Sequence, residues 1–359
     1  MHVMMIAPSL TMGGAERITA TMANGFIALG HELTLALLVG AQTPQDFPLH
    51  PAVNVIHLDI FQAPQGPFDR LRNMFRRHRA IRRAIRQSKP DVLVSLTNIA
   101  NIRTLLASVG FNVPVILAEH TDPRHYDIGP VWQCLRRWVY PHAAALVVLT
   151  EDMGQFFTRF VNPECVHVFF NPIEFPSQLP EVDRSQTILY LGRFSPEKNV
   201  PLLLEAFADC VQPGWKLALA GDGPDRVTLE AMCRQLGIAD SVLFLGQIAN
   251  VYPLLAGAAF CVLPSNFEGL PNALCEALVM GTPCLATATS GAKAVIRHGE
   301  NGLLCPVGDV AAMRQAMEHL MNNPALRAQM GAKARELRSH ITPEAVLAQW
   351  DALCRQVQK

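Results

Sequence analysis

Two glutamates, Glu268 and Glu276, stand on either side of a Gly-Leu-Pro turn in the segment SNFEGLPNALCEAL. The preceding run, AFCVLPS, predicts a strand, and Pro271 suits the first position of a helix that runs to about Met280. Helix starts usually carry Ser, Thr, Asp or Asn as a cap, whereas Leu270 occupies that position here. The first N–H groups of the helix therefore need another partner, and a phosphate group would fit.

The amides concerned are those of Asn272, Ala273 and Leu274. Water, or a shifted helix start with Asn272 as the cap, would satisfy them as well. Glu276 is the only charged residue of an otherwise apolar helix, so its carboxylate needs hydroxyl donors or a cation if it is buried. A carboxylate beside a phosphate is repelled, so Glu268 is also better placed on hydroxyl groups. The segment predicts a nucleotide-sugar site.

Two cations follow another predicted strand, TILYLG. Arg193 stands at its end and Lys198 lies in the loop FSPEK. They could clamp a diphosphate, because Arg offers a planar fork of donors and Lys a point charge. The alternative is ordinary surface charge, with Lys198 paired to its neighbour Glu197. The spacing alone leaves both interpretations open.

Weaker signals also follow predicted strands. Gly13 and Gly14 precede the first helix, where glycines let a ligand approach the backbone, although a plain turn explains them equally well. Gly221, and the loop that contains Ile248, could offer backbone groups to a nucleotide. His120, in VILAEHTDP, could orient the reacting group, although a lone histidine is more often structural. No spacing of His, Cys or acidic residues implies a metal.

The elements that must position these residues alternate between short apolar strands and amphipathic helices. The rhythm breaks near residues 172–185 and then restarts, which predicts an α/β protein with two Rossmann-like, parallel-sheet halves. The predicted domains are 1–172 and 173–342, followed by a helical stretch, 343–359, that could pack on either half. Ligands of such sheets bind beyond the carboxyl ends of the strands, where the candidate residues lie.

Composition narrows the class of protein. Half of the 359 residues are apolar and the formal net charge is zero, so the chain is globular and no overall field favours nucleic acid. The nine cysteines form no CxxC pair, which indicates buried free thiols in a reducing compartment. With no positively charged leader and no apolar run of about 18 residues, we expect a cytoplasmic protein that is at most attached to a membrane surface.

The segment RLRNMFRRHRAIRRAIRQSK, residues 70–89, holds nine basic side chains and no acid. Its apolar residues recur at steps of three and four, which predicts a helix with one face on the sheet. A solvated face normally mixes both signs, so we expect affinity for anionic headgroups or a lipid diphosphate. RNA is the competing anion but would want aromatic platforms. The side chains predicted to bind the headgroup or the lipid diphosphate are Arg70, Arg72, Arg76, Arg77, Arg79, Arg82, Arg83 and Arg86.

Together these residues resemble the retaining glycosyltransferases of family 4, which have the GT-B fold. The resemblance covers nearly the whole chain, and its strongest motif is the pair of glutamates separated by seven residues. The EGLPN form is similar to bacterial enzymes of surface-polysaccharide and lipid-linked glycan assembly. The segments that carry it are GGAER, GHELTLALL, VVLTEDM, NP, LGRFSPEKN, LAGDGP, SNFEGLPNALCEAL, GTPCLAT and NGLLCPVGD.

The resemblance implies two domains that close on a nucleotide-sugar, with the last helix returning to the first domain. It implies that Arg193 and Lys198 neutralise the departing diphosphate, while Glu276 binds the ribose and Glu268 the sugar. Transfer would retain the anomeric configuration without a metal or cofactor. The glycine and amide contacts to the donor would come from Gly13, Gly14, Gly221, Ile248, Gly269, Leu270, Asn272, Ala273 and Leu274.

The acceptor implied by the resemblance is a polyprenyl-diphosphate-linked glycan, held by the basic helix of the first domain at the inner face of the cytoplasmic membrane. A UDP-linked hexose or N-acetylhexosamine is the expected donor. Two other classes share the fold. A sugar-nucleotide 2-epimerase would need no acceptor, and a sugar or nucleotide sensor would bind without turnover. A transferase for a soluble acceptor also stays open.

Overall fold

The computed structural model describes residues 1–11, 13–60, 67–176 and 184–358, with the side chains of residues 67–71 outside that description. The chain forms two compact units. Unit 1 contains Met1–Pro172 and Ile341–Lys359, and unit 2 contains Ile173–His340.

Unit 1 is built on a seven-stranded parallel sheet in the order β3-β2-β1-β4-β5-β6-β7. Its strands are β1 (His2–Ala7), β2 (Glu32–Leu37), β3 (Asn54–His57), β4 (Val92–Leu96), β5 (Val115–Glu119), β6 (Ala145–Val148) and β7 (Val166–Val168). Its helices are α1 (Gly14–Ala28), α2 (Pro67–Ser88), α3 (Asn98–Ser108), α4 (Pro130–Val139) and α5 (Glu151–Phe157).

Unit 2 is built on a six-stranded parallel sheet in the order β10-β9-β8-β11-β12-β13. Its strands are β8 (Thr187–Leu191), β9 (Lys216–Ala220), β10 (Val242–Gly246), β11 (Phe260–Leu263), β12 (Cys284–Thr287) and β13 (Gly302–Cys305). The helices of the second half of the chain are α6 (Val200–Ala208), α7 (Arg226–Gln235), α8 (Tyr252–Gly257), α9 (Asn272–Val279), α10 (Ser290–Val295), α11 (Val310–Asn322), α12 (Pro324–Ala334), α13 (Arg338–Ile341) and α14 (Pro343–Gln358). Of these, α14 lies in unit 1.

The prediction of two Rossmann-like halves is confirmed. The central strands are buried throughout, β4 and β11 completely, because helices cover both faces of a parallel sheet. The sequence analysis missed β3 and β7. Both are short edge strands whose residues are half-exposed or exposed, so they lack the continuous apolar run by which a buried strand is recognised.

The last helix, α14, belongs to unit 1, where it packs on α1. The fit is close: a side chain at Gly25 would lie 2.1 Å from the Leu347 Cδ1 atom. Asp351 pairs with His31 Nε2 at 2.8 Å, and the ring of Trp350 meets Phe169 edge-on. The sequence pattern left open which half this helix packs on, and the structure places it on unit 1.

Helix α2 differs from its predicted packing. Ile81, Ala84 and Ile85 are buried as expected, but Met74 and Phe75 are 54% and 55% exposed. The reason is length: a 22-residue helix spans about 33 Å, roughly twice the length of the five-residue strand β4. Among the α2 side chains that the structure describes, the buried apolar ones lie in the second half of the helix, so the predicted apolar face does not extend to Met74 and Phe75.

Candidate functional site

The loops after β8 and β11 leave the sheet of unit 2 at its topological switch point. From β8 the chain adds β9 and β10 on one side, and later adds β11, β12 and β13 on the other. Loops at such a point diverge and leave a crevice beyond the carboxyl ends of the strands, which is where ligands bind. Arg193 and Lys198 follow β8, and Glu268 follows the neighbouring strand β11. Sheet order thus brings these residues to one edge.

Lys198 and Glu268 form an ion pair across this switch point. The Lys198 ammonium donates a hydrogen bond to Glu268 Oε1, which also accepts one from Ser265 Oγ at 2.9 Å. The two side chains are 22% and 12% exposed, so the pair is largely removed from water. The ion pair of Lys198 is therefore with Glu268 and not with its neighbour Glu197, whose carboxylate accepts a hydrogen bond from Ser195 at 2.5 Å.

Three hydrogen bonds join the loop after β8 to the loop after β11. The Asn266 N–H donates to the Glu197 carbonyl at 2.8 Å, and its side-chain amide donates to the Pro196 carbonyl at 3.2 Å. Asn199 Nδ2 in turn donates to Asn266 Oδ1 at 3.0 Å. These three bonds hold the loop of Lys198 against the loop of Glu268.

Arg193 is exposed at the same edge, on a loop fixed by close backbone packing. A side chain at Gly221, whose φ is +151°, would lie 1.8 Å from the Gly192 carbonyl oxygen. The Phe194 N–H donates to the Asp222 carbonyl at 2.9 Å, and the Tyr190 hydroxyl donates to the Arg193 carbonyl at 2.8 Å. Gly221 therefore positions the backbone that carries the guanidinium.

The start of α9 lacks a side-chain cap, as predicted, but one residue later than predicted. The helix begins at Asn272 with Pro271 in the cap position. Because the Leu274 N–H donates to the Pro271 carbonyl at 3.0 Å, the prediction of an unoccupied amide there was wrong. Glycines fit the preceding loop closely, since a side chain at Gly291 would lie 2.2 Å from the Gly269 carbonyl oxygen.

Glu276 is 4% exposed, the buried carboxylate that the apolar helix predicted. Burial, and next the charge of Glu276, raise the pKa of the adjacent Cys275 thiol. Leu270 is buried in the preceding loop, and Ala273 is half-buried in the first turn of α9. Ile248 is 37% exposed in the loop after β10, at the far end of the same sheet edge.

In unit 1, Gly13 and His120 follow strands of the other sheet at its carboxyl edge. Gly13 is the cap position of α1, which begins at Gly14 without a side-chain cap. His120 follows β5 and is partly buried. Burial lowers the pKa of His120 to about 4, against a hydrogen bond with the Asn171 side chain that raises it. The imidazole is therefore neutral at neutral pH and held by a partner.

A buried polar cluster that the sequence did not predict includes Glu119, the neighbour of His120 in the chain. The carboxylate of Glu119, 1% exposed, accepts a hydrogen bond from the Tyr140 hydroxyl. Arg136 is also 1% exposed and lies over the Phe157 ring. Burial raises the pKa of Glu119, opposed by the charge of Arg136 and the hydrogen bond from Tyr140. A glutamate inside an apolar strand and an arginine on α4 are the only sequence signals for this cluster.

The structure divides the basic residues of α2 into two groups. Arg77 Nε donates to the Ile60 carbonyl at 2.7 Å, and Arg82 Nη1 donates to the Ala107 and Val109 carbonyls at 2.9 and 2.6 Å. These two arginines anchor α2 to neighbouring backbone, and their predicted binding of an anion stays a prediction.

The other predicted arginines are more accessible. Arg76 bonds to the Asp59 carbonyl at 2.5 Å but remains exposed. A hollow of about 560 Å³ is lined by Arg72, Phe75, Arg76 and Arg79. The Arg70 side chain lies outside the described residues. The exposed arginines that make no hydrogen bond or ion pair with other described residues are Arg72, Arg79, Arg83 and Arg86.

Two properties of the described residues concern ions and membranes. They contain no group of three or more His, Cys, Asp or Glu side chains that could hold a metal ion. None of their helices is both long enough and apolar enough to cross a bilayer.

Comparison with known proteins identifies the family. Residues 173–337, nearly all of unit 2, match the family described as glycosyl transferases group 1. Residues 13–172, nearly all of the first part of unit 1, match the glycosyl transferase 4-like domain. Both matches are to glycosyltransferase domains and together they span residues 13–337, so the chain is a glycosyltransferase. The enzyme class that the family resemblance implied is thereby confirmed.

Two relatives of this glycosyltransferase act in glycan assembly by name. One is the GalNAc-alpha-(1->4)-GalNAc-alpha-(1->3)-diNAcBac-PP-undecaprenol alpha-1,4-N-acetyl-D-galactosaminyltransferase of Campylobacter jejuni, which is 29% identical over 100% of this chain and 99% of that protein. Another is the lipopolysaccharide 1,6-galactosyltransferase of Escherichia coli, 28% identical over 65% of this chain and 66% of that protein.

Solved structures confirm the GT-B fold. Sucrose-phosphate synthase from Thermosynechococcus elongatus superposes with a TM-score of 0.85 at 19% identity, covering 99% of this chain and 98% of that one. Anabaena HepE in complex with UDP gives a TM-score of 0.80 at 18% identity, covering 99% of this chain and 100% of that one.

Proposed function

We propose that this glycosyltransferase moves a hexose or N-acetylhexosamine from a UDP-sugar to a polyprenyl-diphosphate-linked glycan, retaining the anomeric configuration and using no metal. The observation that carries the donor half of the proposal is the Lys198–Glu268 pair at the switch point of the unit 2 sheet. At this point the Lys198 ammonium would bind the diphosphate, and the carboxylates of Glu268 and the buried Glu276 would accept hydrogen bonds from hydroxyl groups.

In the proposed reaction the bond between the anomeric carbon and the diphosphate oxygen breaks, and the acceptor hydroxyl oxygen bonds to that carbon on the same face. The hydroxyl proton passes to the departing phosphate oxygen. Arg193 and Lys198 stabilise the negative charge that develops on the diphosphate. His120, neutral at neutral pH, can accept or donate a hydrogen bond at the reacting sugar but carries no charge to the reaction.

The acceptor half of the proposal is supported by α2. Its exposed arginines, Arg72, Arg76 and Arg79, line one hollow with the exposed Phe75. Guanidinium groups suit phosphate oxygens, and an apolar ring beside them suits a lipid. The Campylobacter jejuni relative, whose name includes a diphosphate-linked undecaprenol, is consistent with such an acceptor.

Mass spectrometry of reaction products tests the proposal. The purified enzyme is offered a panel of UDP- and GDP-sugars, each with and without a polyprenyl-diphosphate-linked glycan, in the presence of a chelator. We expect one sugar to be added to the glycan from a UDP donor. NMR of the product then reports the anomeric configuration. A donor isomerised without any acceptor would instead identify an epimerase, and loss of transfer with the chelator would refute metal independence.

A further inference from the structure

Helices α2, α3 and α4 form one layer of unit 1 with an unbalanced charge. Helix α3 contacts α2 on one side and α4 on the other. Apart from the buried Arg136, the layer carries eight arginines on α2, one on α3 and the exposed Arg137 on α4, against a single acid within these helices, Asp69. A solvated surface ordinarily intersperses both signs. This layer, called the basic face below, therefore suits an anionic partner.

The outer stripe of α4 adds apolar side chains to this face. Val131 and Trp138 are 69% and 66% exposed, and Cys134 between them is exposed as well. Their spacing of three and four residues places them on one side of the helix. Among the four tryptophans of the chain Trp138 is the exposed one: Trp215 and Trp350 are buried, and Trp132 is partly covered, with the Arg103 guanidinium over its ring.

A groove lies next to Trp138. Its volume is about 490 Å³, and most of its lining is apolar, from the end of α3, the loop that leads to β5 and the end of α4, including Leu105, Phe111 and Val139. Ser108 and His142 also line it. Val109, 68% exposed, stands at its edge. The groove is joined to α2, because Arg82 donates to the Val109 carbonyl and its guanidinium lies 4.7 Å from the Phe111 ring centroid.

We propose that the basic face docks on the anionic leaflet of a bilayer, with Trp138, Val131 and Val109 inserted at the level of the headgroups and the groove taking part of a lipid acyl chain. The exposed arginines of α2 then lie against lipid phosphates. Tryptophan favours the membrane interface, where its ring is in apolar surroundings and its N–H meets water. Clustered arginines next to it add attraction to anionic lipid.

The docking surface extends the proposed function, since it would bring the enzyme to a lipid-linked acceptor, and it rests on that function for its purpose. Membrane binding itself requires neither donor nor acceptor. The charge favours a lipid surface over a protein partner, because a polyanionic leaflet can neutralise the exposed arginines of α2 and the exposed Arg137 of α4 at once. Nothing in the binding step depends on the Lys198–Glu268 pair.

The full chain is tested by co-sedimentation with vesicles of phosphatidylcholine alone and with about 30% phosphatidylglycerol. We expect binding to the anionic vesicles only. The double variant Trp138→Ser/Val109→Ser should lower the partition coefficient about tenfold, because two exposed apolar groups no longer insert. Val227→Ser is the matched control: Val227 is 75% exposed on α7 of unit 2, so its replacement should leave binding unchanged.

Trp138 also reports its own insertion. Vesicles of brominated lipid should quench part of the tryptophan emission of the wild-type protein and none of it in Trp138→Phe. Wild-type binding by the double variant, or emission that brominated lipid leaves unchanged, would overturn the proposal. A change of oligomeric state in the double variant with unaltered vesicle binding would identify a second copy of the chain, and RNA bound in preference to vesicles would identify nucleic acid; either result also overturns it.

Failure of docking and failure of the proposed function give different results. If docking is right, the double variant transfers sugar to a short-chain soluble acceptor at the wild-type rate but loses transfer to the acceptor in vesicles. If the wild-type enzyme binds anionic vesicles through Trp138 but glycosylates no lipid-linked acceptor, docking stands and the proposed acceptor is wrong.

Discussion

In the structure of this glycosyltransferase Glu268 pairs with Lys198, and in the proposed function the same carboxylate also binds sugar hydroxyls. In the structure the carboxylate neutralises the ammonium, and both are largely withdrawn from water. In the proposed reaction the diphosphate of the donor would compete for the ammonium and leave Glu268 available to sugar hydroxyls. Charge at this position therefore matters more than shape, which makes an isosteric neutral replacement the informative change.

Glu268→Gln should lower kcat/KM for transfer about 100-fold, because the lysine loses the charge that positions it and the hydroxyl groups are left with a weaker, uncharged acceptor. Initial rates with saturating acceptor measure this, and urea unfolding should show a retained fold. The matched control is Glu300→Gln, which removes an exposed pair with Arg297 and should leave the rate unchanged. Turnover near the wild-type value in Glu268→Gln would contradict the proposed donor site.

His120 links folding to pH. Burial lowers its pKa to about 4, whereas an unfolded histidine titrates near 6.5. Below about 6.5 the unfolded chain binds a proton that the folded chain refuses until about pH 4, so this residue makes stability fall as pH falls through that window. Above that window His120 is neutral in both states and contributes no pH dependence.

The variant His120→Gln should reduce the loss of unfolding free energy between pH 7.5 and pH 5 by about 1 to 2 kcal/mol. Urea unfolding at the two pH values measures the difference. His340→Gln, at an exposed position, should leave the loss as in the wild type. An identical pH dependence in His120→Gln and the wild type would show that the imidazole is protonated normally in the folded state.

At the scale of elements, the start of α9 depends on its neighbour α10. Thr289 caps α10, and Ser290 donates to the Glu268 carbonyl at 3.1 Å. Gly291 follows, so close to the Gly269 carbonyl that no side chain fits between them. The turn that carries Glu268 therefore rests directly on the first turn of α10, and its position is set by backbone contact more than by side chains.

Gly291→Ala should therefore push the Glu268 turn outward. We expect a loss of about 1 to 3 kcal/mol in unfolding free energy and a rise in KM for the donor, because the carboxylate and the Lys198 ammonium separate. Chemical unfolding and donor titration measure the two effects. Gly257→Ala is the control, since a side chain at Gly257 meets no atom within 4 Å. Equal results for both variants would refute the close approach.

Over the whole molecule, each unit encloses its own core around its own sheet. Unit 2 has a continuous apolar cluster that includes Trp215, whereas Trp350 of α14 belongs to the core of unit 1. Both Trp215 and Trp350 are nearly fully buried. The chain ends by returning to the unit in which it began, so the sequence neighbours of α14 and its packing partners lie in different units.

A reciprocal pair of variants tests this arrangement. Trp350→Ala should cost about 3 to 5 kcal/mol and speed hydrogen exchange in β1, β4 and α1 while sparing unit 2. Trp215→Ala should do the reverse, speeding exchange in β8, β9 and α6. Mass spectrometry resolves the two sets of peptides. Exchange that rises equally in both units for either variant would contradict the division.

The buried strands, the loops that carry the candidate residues and the two halves were readable from sequence, because buried parallel strands form continuous apolar runs and ligand residues follow them. The exposed edge strands β3 and β7 were not. Tertiary structure alone decided that Lys198 pairs with Glu268 and that Arg77 and Arg82 anchor α2. The return of α14 to unit 1 was implied by the family resemblance, but the local sequence pattern left it open. The physical reason is common to all three. Each contact joins residues far apart in the chain, and it depends on sheet order and helix packing, which local hydrophobic periodicity does not encode.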